Sequence, residues 1–207
     1  MVKTEGYITV IGETEAEYTE KRSRFIAALK HCETEEEAAE FINALKSKYW
    51  DARHNCYAYS VENGALKRFS DDGEPHGTAG KPILSVIEGA GITNVCIVVT
   101  RYFGGTLLGT GGLVRAYTEA AKLALADAGI HQVQRMKLMD ITCSYNDSGK
   151  VQYLLSTNEI SIENTEYGAD VTFHTAVPVA DVTMIEKKIT EATAARAVID
   201  EKGEKFV

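Results

Sequence analysis

A β-branched run, Val95 to Thr100, leads into the segment Gly104 to Gly112, where five of nine residues are glycine, and then into a helical pattern from Leu113 to Ala128. This succession constrains the chain more than any other feature. A strand with no polar alternation has no solvent face, so it belongs at the centre of a sheet covered on both sides. The glycines let backbone amides approach a ligand closely, and the helix that follows presents unpaired N–H groups at its positive end. Arg101 and Phe103 precede the loop and Arg115 lies in the first helical turn. Arg101, Phe103, Gly104, Gly105, Gly109, Gly111, Gly112 and Arg115 therefore form a candidate site for nucleic acid or another anion.

The same residues admit a plainer reading. The glycines could serve only a tight turn and close packing, with the arginines paired to Asp71, Asp72 or Glu74. The spacing fits neither GxxxxGK[ST] nor GxGxxG, so no particular nucleotide is indicated.

The rest of the N-terminal half supplies a scaffold. Tyr7 to Ile11 and Phe25 to Leu29 read as strands. Thr34 with Glu37 forms a capping-box signature, and Ala38, Phe41, Ile42, Leu45 and Tyr49 lie at helical spacing behind it. Cys56 to Val61 alternates as a strand, and Lys67 to Ser70 is its hairpin partner. Pro82 suits a first helical turn, followed by Ile83, Leu84, Val86 and Ile87, with Gly89 or Gly91 to end it. Glu13, Glu15, Glu17 and Glu20, with Lys21, Arg22 and Arg24 close behind, read as a solvated charge run.

Asp71-Asp72-Gly73-Glu74-Pro75-His76-Gly77-Thr78 cannot be regular structure. Its carboxylates and imidazole could hold a metal or act as acid and base, yet turn chemistry and ion pairing account for them as well. Asp71, Asp72, Gly73, Glu74, Gly77 and Thr78 are taken as a loop supporting the site, and no metal or cofactor is assigned. Arg53 and His54 open the strand at Cys56 and join the candidate site. Tyr57, Tyr59, Tyr102 and Phe103 interleave with Arg53 and Arg101, a pattern that suits base stacking but also ordinary core. His31, His131 and His174 show no partner in sequence. Neither GxSxG nor a Cys/His signature appears, so hydrolysis is unsupported.

From Met136 the order is strand (Lys137 to Tyr145), helix (Asp147 to Thr157, capped by Asn146), strand (Ile160 to Tyr167), strand (Asp170 to Val177), helix (Asp181 to about Thr193), and a strand from Ala197. That βαββαβ order is the one of a ferredoxin-like split sandwich. His131 to Arg135 is the linker candidate, giving domains at 1–133 and 134–207 in an α+β chain.

A length of 207 residues, 44% hydrophobic and 25% charged, suits two small globular domains. Apolar runs are too short to span a bilayer and no leader pattern opens the chain, so no membrane partner is expected. The four cysteines, Cys32, Cys56, Cys96 and Cys143, form no CxxC pair and read as reduced core thiols of a cytoplasmic protein. A net charge of -8, spread equally over the two halves, excludes a protein that coats nucleic acid generally but leaves room for a local basic face.

The motifs Lys21-Arg22-Ser23-Arg24-Phe25-Ile26, Ala52-Arg53-His54-Asn55-Cys56-Tyr57-Ala58-Tyr59, Asp71-Asp72-Gly73-Glu74-Pro75, Gly77-Thr78-Ala79-Gly80, Thr100-Arg101-Tyr102-Phe103-Gly104-Gly105 and Gly111-Gly112-Leu113-Val114-Arg115-Ala116-Tyr117 resemble the IMPACT/YigZ family in their order. The resemblance is detailed over residues 18–130 and looser beyond. It implies an N-terminal domain similar to domain 2 of ribosomal protein S5 and a ferredoxin-like C-terminal domain resembling elongation factor G modules. It further implies a non-catalytic, translation-associated regulator with RNA, the ribosome, or a translation factor or other regulatory protein as partner. An enzyme acting on a small phosphorylated or nucleotide substrate and a pure protein-interaction module are the alternatives. His76 stands where a small residue is usual in the family, which argues against an essential imidazole there.

Overall fold

The computed structural model describes residues 6–207. The chain is α+β, with two antiparallel sheets, and divides into two compact units: Tyr7–Gln132, and Val133–Val207 joined by Gly6.

The first unit is built on the sheet order β2 (Glu13–Glu20), β3 (Ser23–His31), β6 (Val95–Tyr102), β4 (His54–Val61), β5 (Leu66–Ser70), with every neighbouring pair antiparallel. As expected of an unbroken apolar run, β6 is central and buried along nearly its whole length. Its alternate residues feed two cores. Val95, Ile97 and Val99 meet Phe25, Ala27 and Leu29 beneath α2 (Gly80–Gly89) and α3 (Gly109–Asp127). Cys96 and Val98 face the opposite side, under Ala38, Phe41, Ile42 and Leu45 of α1 (Glu35–Lys48). A run with no solvent face is thus explained by helices on both faces. The cover on the second face also buries Tyr59, so the tyrosines of β4 belong to a core and do not form an open stacking platform.

One local expectation holds and one is modified. Thr34 caps α1, with Glu37 N–H donating to Thr34 Oγ1 at 3.3 Å. The acidic segment Glu13 to Glu20 forms strand β2, with Thr14, Ala16 and Tyr18 turned inward between glutamates that face out. Charges on alternate residues are the edge-strand version of a half-buried alternation.

In the second unit the elements run β7 (Gly129–Cys143), α4 (Tyr145–Thr157), β8 (Ser161–Tyr167), β9 (Val171–Pro178), α5 (Val182–Ala192), β10 (Val198–Phe206). The strands lie in the order β10, β7, β9, β8, and β1 (Gly6–Ile11) also pairs with β7. Met139, Ile141, Val171 and Phe173 pack with Val151, Leu155, Ile185 and Ile189 from the two helices. His131 to Arg135, the expected linker, is extended within β7: Gln134 exchanges backbone hydrogen bonds with Val207, and Arg135 is paired with Glu204. The cap of α4 is Ser144 and not Asn146, and in its first turn the buried Asp147 carboxylate is held by Arg196 and Lys150. Among the described residues no helix is long and apolar enough to cross a membrane.

Candidate anion site at the glycine loop

The loop between β6 and α3 has a geometry that only glycine satisfies at its critical points. A Cβ on Gly104 would lie 2.0 Å from the carbonyl carbon of Arg22, and the Gly104 N–H donates to Ser23 Oγ at 3.1 Å. Gly104 thus pins the loop against the β2–β3 turn. Gly105 and Gly109 take left-handed φ of 81° and 70°. Gly111 differs, since a Cβ there would meet nothing. Packing does not require it. Helix α3 opens with no side-chain cap and no acid in its first turn, so its first N–H groups keep their partial positive charge.

Arg101 is withdrawn from solvent. Its Nη1 donates to Glu74 Oε1 at 2.7 Å, and the same oxygen accepts from Tyr117 Oη at 2.8 Å. The guanidinium carbon lies 5.5 Å from the Phe25 ring centre and 5.7 Å from that of Phe103. Its buried Nε is left without a partner, at a cost of about 1–3 kcal/mol for a buried donor. Burial, then the Cys56 thiol and Glu74, push the Tyr117 phenol far up, so it remains a donor. Burial likewise raises the Cys56 thiol, whose Sγ donates to the Asp71 carbonyl at 3.0 Å; it is inert as a nucleophile.

The loop before α2 is braced throughout. Asp71 accepts the N–H groups of Gly77, Ala79 and Gly80 at 2.8, 3.0 and 2.9 Å. Burial would raise this carboxyl, but the three amides outweigh it and hold the carboxyl below its ordinary value. Asp72 accepts from Asn55 N–H and from Lys46, while its carbonyl accepts from His54 Nδ1 at 2.9 Å. Gly73 turns at positive φ against that imidazole. Gly77 also turns at positive φ, and Thr78 Oγ1 donates to the Pro75 carbonyl. These acids serve the fold, as turn chemistry suggested, and Glu74 is the one that reaches an arginine of the site. His76 is fully exposed.

The candidate residues fall into two groups. Arg53, His54, Arg101 and Phe103 line a cavity of about 660 Å³ together with Asp51, Tyr102 and Leu107. Arg115 and Gly112 line another, of about 410 Å³, with Tyr18, Glu20, Lys21 and Glu119. Arg53 and Arg115 are exposed, and no hydrogen bond or ion pair joins either among the described residues. Sequence reading did not single out Asp51 or Leu107. Leu107, 84% exposed amid glycines, was the available signal, since a large apolar residue on an open loop has no packing reason to be there. Nor did it foresee that Lys21 and Arg22 form a two-residue turn between β2 and β3 with both residues at positive φ, 46° and 66°. Such a conformation costs about 1–3 kcal/mol per non-glycine residue and holds two basic side chains outward beside Gly104.

Comparison with known proteins agrees with the resemblance drawn from the motifs. Residues 21–125 match the Impact N-terminal domain and residues 141–196 match a domain of unknown function, DUF1949. The chain is 38% identical over 196 residues to IMPACT family member YvyE of Bacillus subtilis, covering 94% of this chain and 90% of that one. It is 37% identical over 174 residues to IMPACT family member YigZ of Escherichia coli, covering 83% and 85% respectively. A solved structure titled as that of a hypothetical protein superposes with a TM-score of 0.62 at 33% identity, covering 95% of this chain and 97% of that one.

Proposed function

This chain belongs to the IMPACT family, and from that membership we propose that it is a non-catalytic, translation-associated regulatory protein that binds RNA, free or on the ribosome, through the glycine-loop face of its first unit. The observation that carries this reading is the placement of exposed, unpaired cations around an uncapped helix start. Helix α3 begins at Gly109, four residues before the Leu113 expected from the pattern, so Arg115 stands in its second turn; Lys21 shares its cavity, and Arg53 lies beyond the loop. Phosphates are attracted to such a set by charge and by the free amides together. Arg101 contributes position more than charge, because Glu74 neutralises it.

The remaining parts of the reading have their own supports. Strand order β10, β7, β9, β8 with the sequence βαββαβ supports a ferredoxin-like C-terminal unit, in keeping with a likeness to elongation factor modules. The likeness of the first unit to domain 2 of ribosomal protein S5 rests on the family alone. Four buried cysteines, all free, support a cytoplasmic setting.

The experiment is co-sedimentation with ribosomes and binding to single-stranded RNA at low and moderate salt, with Arg53→Ala/Arg115→Ala beside the parent. Binding that falls steeply with salt and is lost in the folded double variant is the expected result. Equal binding by both, or none at either salt, removes the proposal.

A further inference from the structure

We propose that the cavity between the start of β4 and the end of β6 is a pocket for one nucleoside monophosphate, either free or as an unpaired residue of an RNA strand. The first unit, by this inference, recognises a single nucleotide at a place separate from the Arg115 cavity. The second source, RNA, rests on the function proposed above; the first does not.

Four features of the cavity point to that ligand class. Its volume, about 660 Å³, lies in the range of small-molecule sites. Its wall carries the exposed guanidinium of Arg53 and the fixed guanidinium of Arg101, whose buried Nε–H has no acceptor. The exposed Arg53 guanidinium is suited to phosphate oxygens, while Arg101, already paired with Glu74, fixes the wall. Phe103 and Leu107, 56% and 84% exposed, give an apolar wall with no other function in the fold, and the Phe103 ring is already backed on the protein side by the Arg101 guanidinium. A base stacked there would extend that arrangement. The fourth feature separates a nucleotide from a simple anion. The wall includes the carboxylate of Asp51, held by Tyr102 Oη at 2.7 Å, which would repel inorganic phosphate but accepts hydroxyl or amino hydrogens of a ribose or base.

His54 completes the set by its tautomer. Its Nδ1 lies 2.9 Å from the Asp72 carbonyl, which can only accept, so Nδ1 bears the hydrogen and Nε2 is left for the ligand. That Nε2 can accept a hydrogen bond from a ligand hydroxyl. The brace on Asp72 from Asn55 and Lys46 fixes this orientation before any ligand arrives.

The test is calorimetric titration of the full chain with adenosine 5′-monophosphate, adenosine and inorganic phosphate, on the parent and on Arg53→Ala, Phe103→Ala and Arg115→Ala, each first shown to melt cooperatively. The expected result is binding of the monophosphate at least tenfold tighter than either adenosine or phosphate. It should weaken about tenfold or more in Arg53→Ala and by about 5- to 150-fold in Phe103→Ala, the range of one base stack, and stay unchanged in Arg115→Ala. No heat up to millimolar monophosphate overturns the proposal, as does phosphate binding as well as the nucleotide, or insensitivity to Phe103→Ala. The same variants in the RNA experiment separate the two claims. Nucleotide binding without RNA binding leaves the pocket standing and removes the RNA reading, while RNA binding lost in Arg115→Ala without nucleotide binding does the reverse.

Discussion

Arg101 and Glu74 are joined by a 2.7 Å hydrogen-bonded ion pair in which the side chains are only 9% and 3% exposed. A residue at the end of the central strand is thereby tied to the loop before α2, and through Tyr117 to α3 as well. Removing one member strands the other charge in the interior. Glu74→Ala should therefore destabilise the first unit by about 3–5 kcal/mol, measured by urea denaturation. Arg101→Met/Glu74→Leu, which removes both charges, should cost less than Glu74→Ala alone; an equal or larger loss would mean that the pair is not the source.

Asp71 gathers three backbone amides with a carboxylate that is mostly buried. Its folded pKa is depressed, so its contribution is present above the ordinary value of 3.8 and is lost as pH falls through the lower folded value. Asp71→Ala should cost about 1–3 kcal/mol near neutrality, and its penalty should shrink on acidification below pH 3.8. Melting curves across that interval provide the check. A penalty independent of pH would show that the charge is immaterial.

His174 on β9 donates toward Asp140 of β7 at 2.6 Å, with Glu166 of β8 3.4 Å from its other nitrogen and Lys202 of β10 near the same aspartate. The hydrogen bond to Asp140 is the main reason its pKa is raised, against a smaller effect of burial, with Glu166 adding to the rise. The sign follows: this stabilisation is fully present below the ordinary value of 6.5 and is lost as pH rises through the folded value. His174→Gln should flatten the pH dependence of melting above 6.5 in the second unit. An unaltered slope would refute the assignment.

The glycines of the loop are not equivalent. Gly104→Ala drives a Cβ into the Arg22 backbone and should unfold or severely destabilise the first unit. Gly111→Ala meets open space at the start of α3 and should stabilise by about 0.5–1 kcal/mol, since alanine restricts the unfolded chain and favours the helix. Thermal melts of the two variants decide the matter, and similar losses in both would contradict the geometry. If α3 amides contact phosphate, Gly111→Ala should also weaken RNA binding while raising stability.

Local pattern determined much of this protein. The period of the apolar residues set α1, a helical pattern marked the body of α3 from Leu113 onward, and an unbroken apolar run set the central strand β6, because burial on one or two faces imposes its own pattern on a sequence. The clustering of glycine between β6 and α3 marked the loop, and the motifs around it carried the family. Alternation hidden under glutamates concealed β2, and the mostly polar stretch His131 to Arg135, taken for a linker, is strand, because both are decided by what pairs alongside them. The tertiary structure alone selected which charges are free. Arg53, Arg101 and Arg115 look alike in a sequence, but only Arg101 lies within reach of Glu74, and only packing 27 residues apart in the chain brings that carboxylate to it. The same folding places Arg53 and Arg115 on separate cavities. Residue type fixes the charge a side chain carries; its distance from a counter-charge, and from water, is a property of the whole fold.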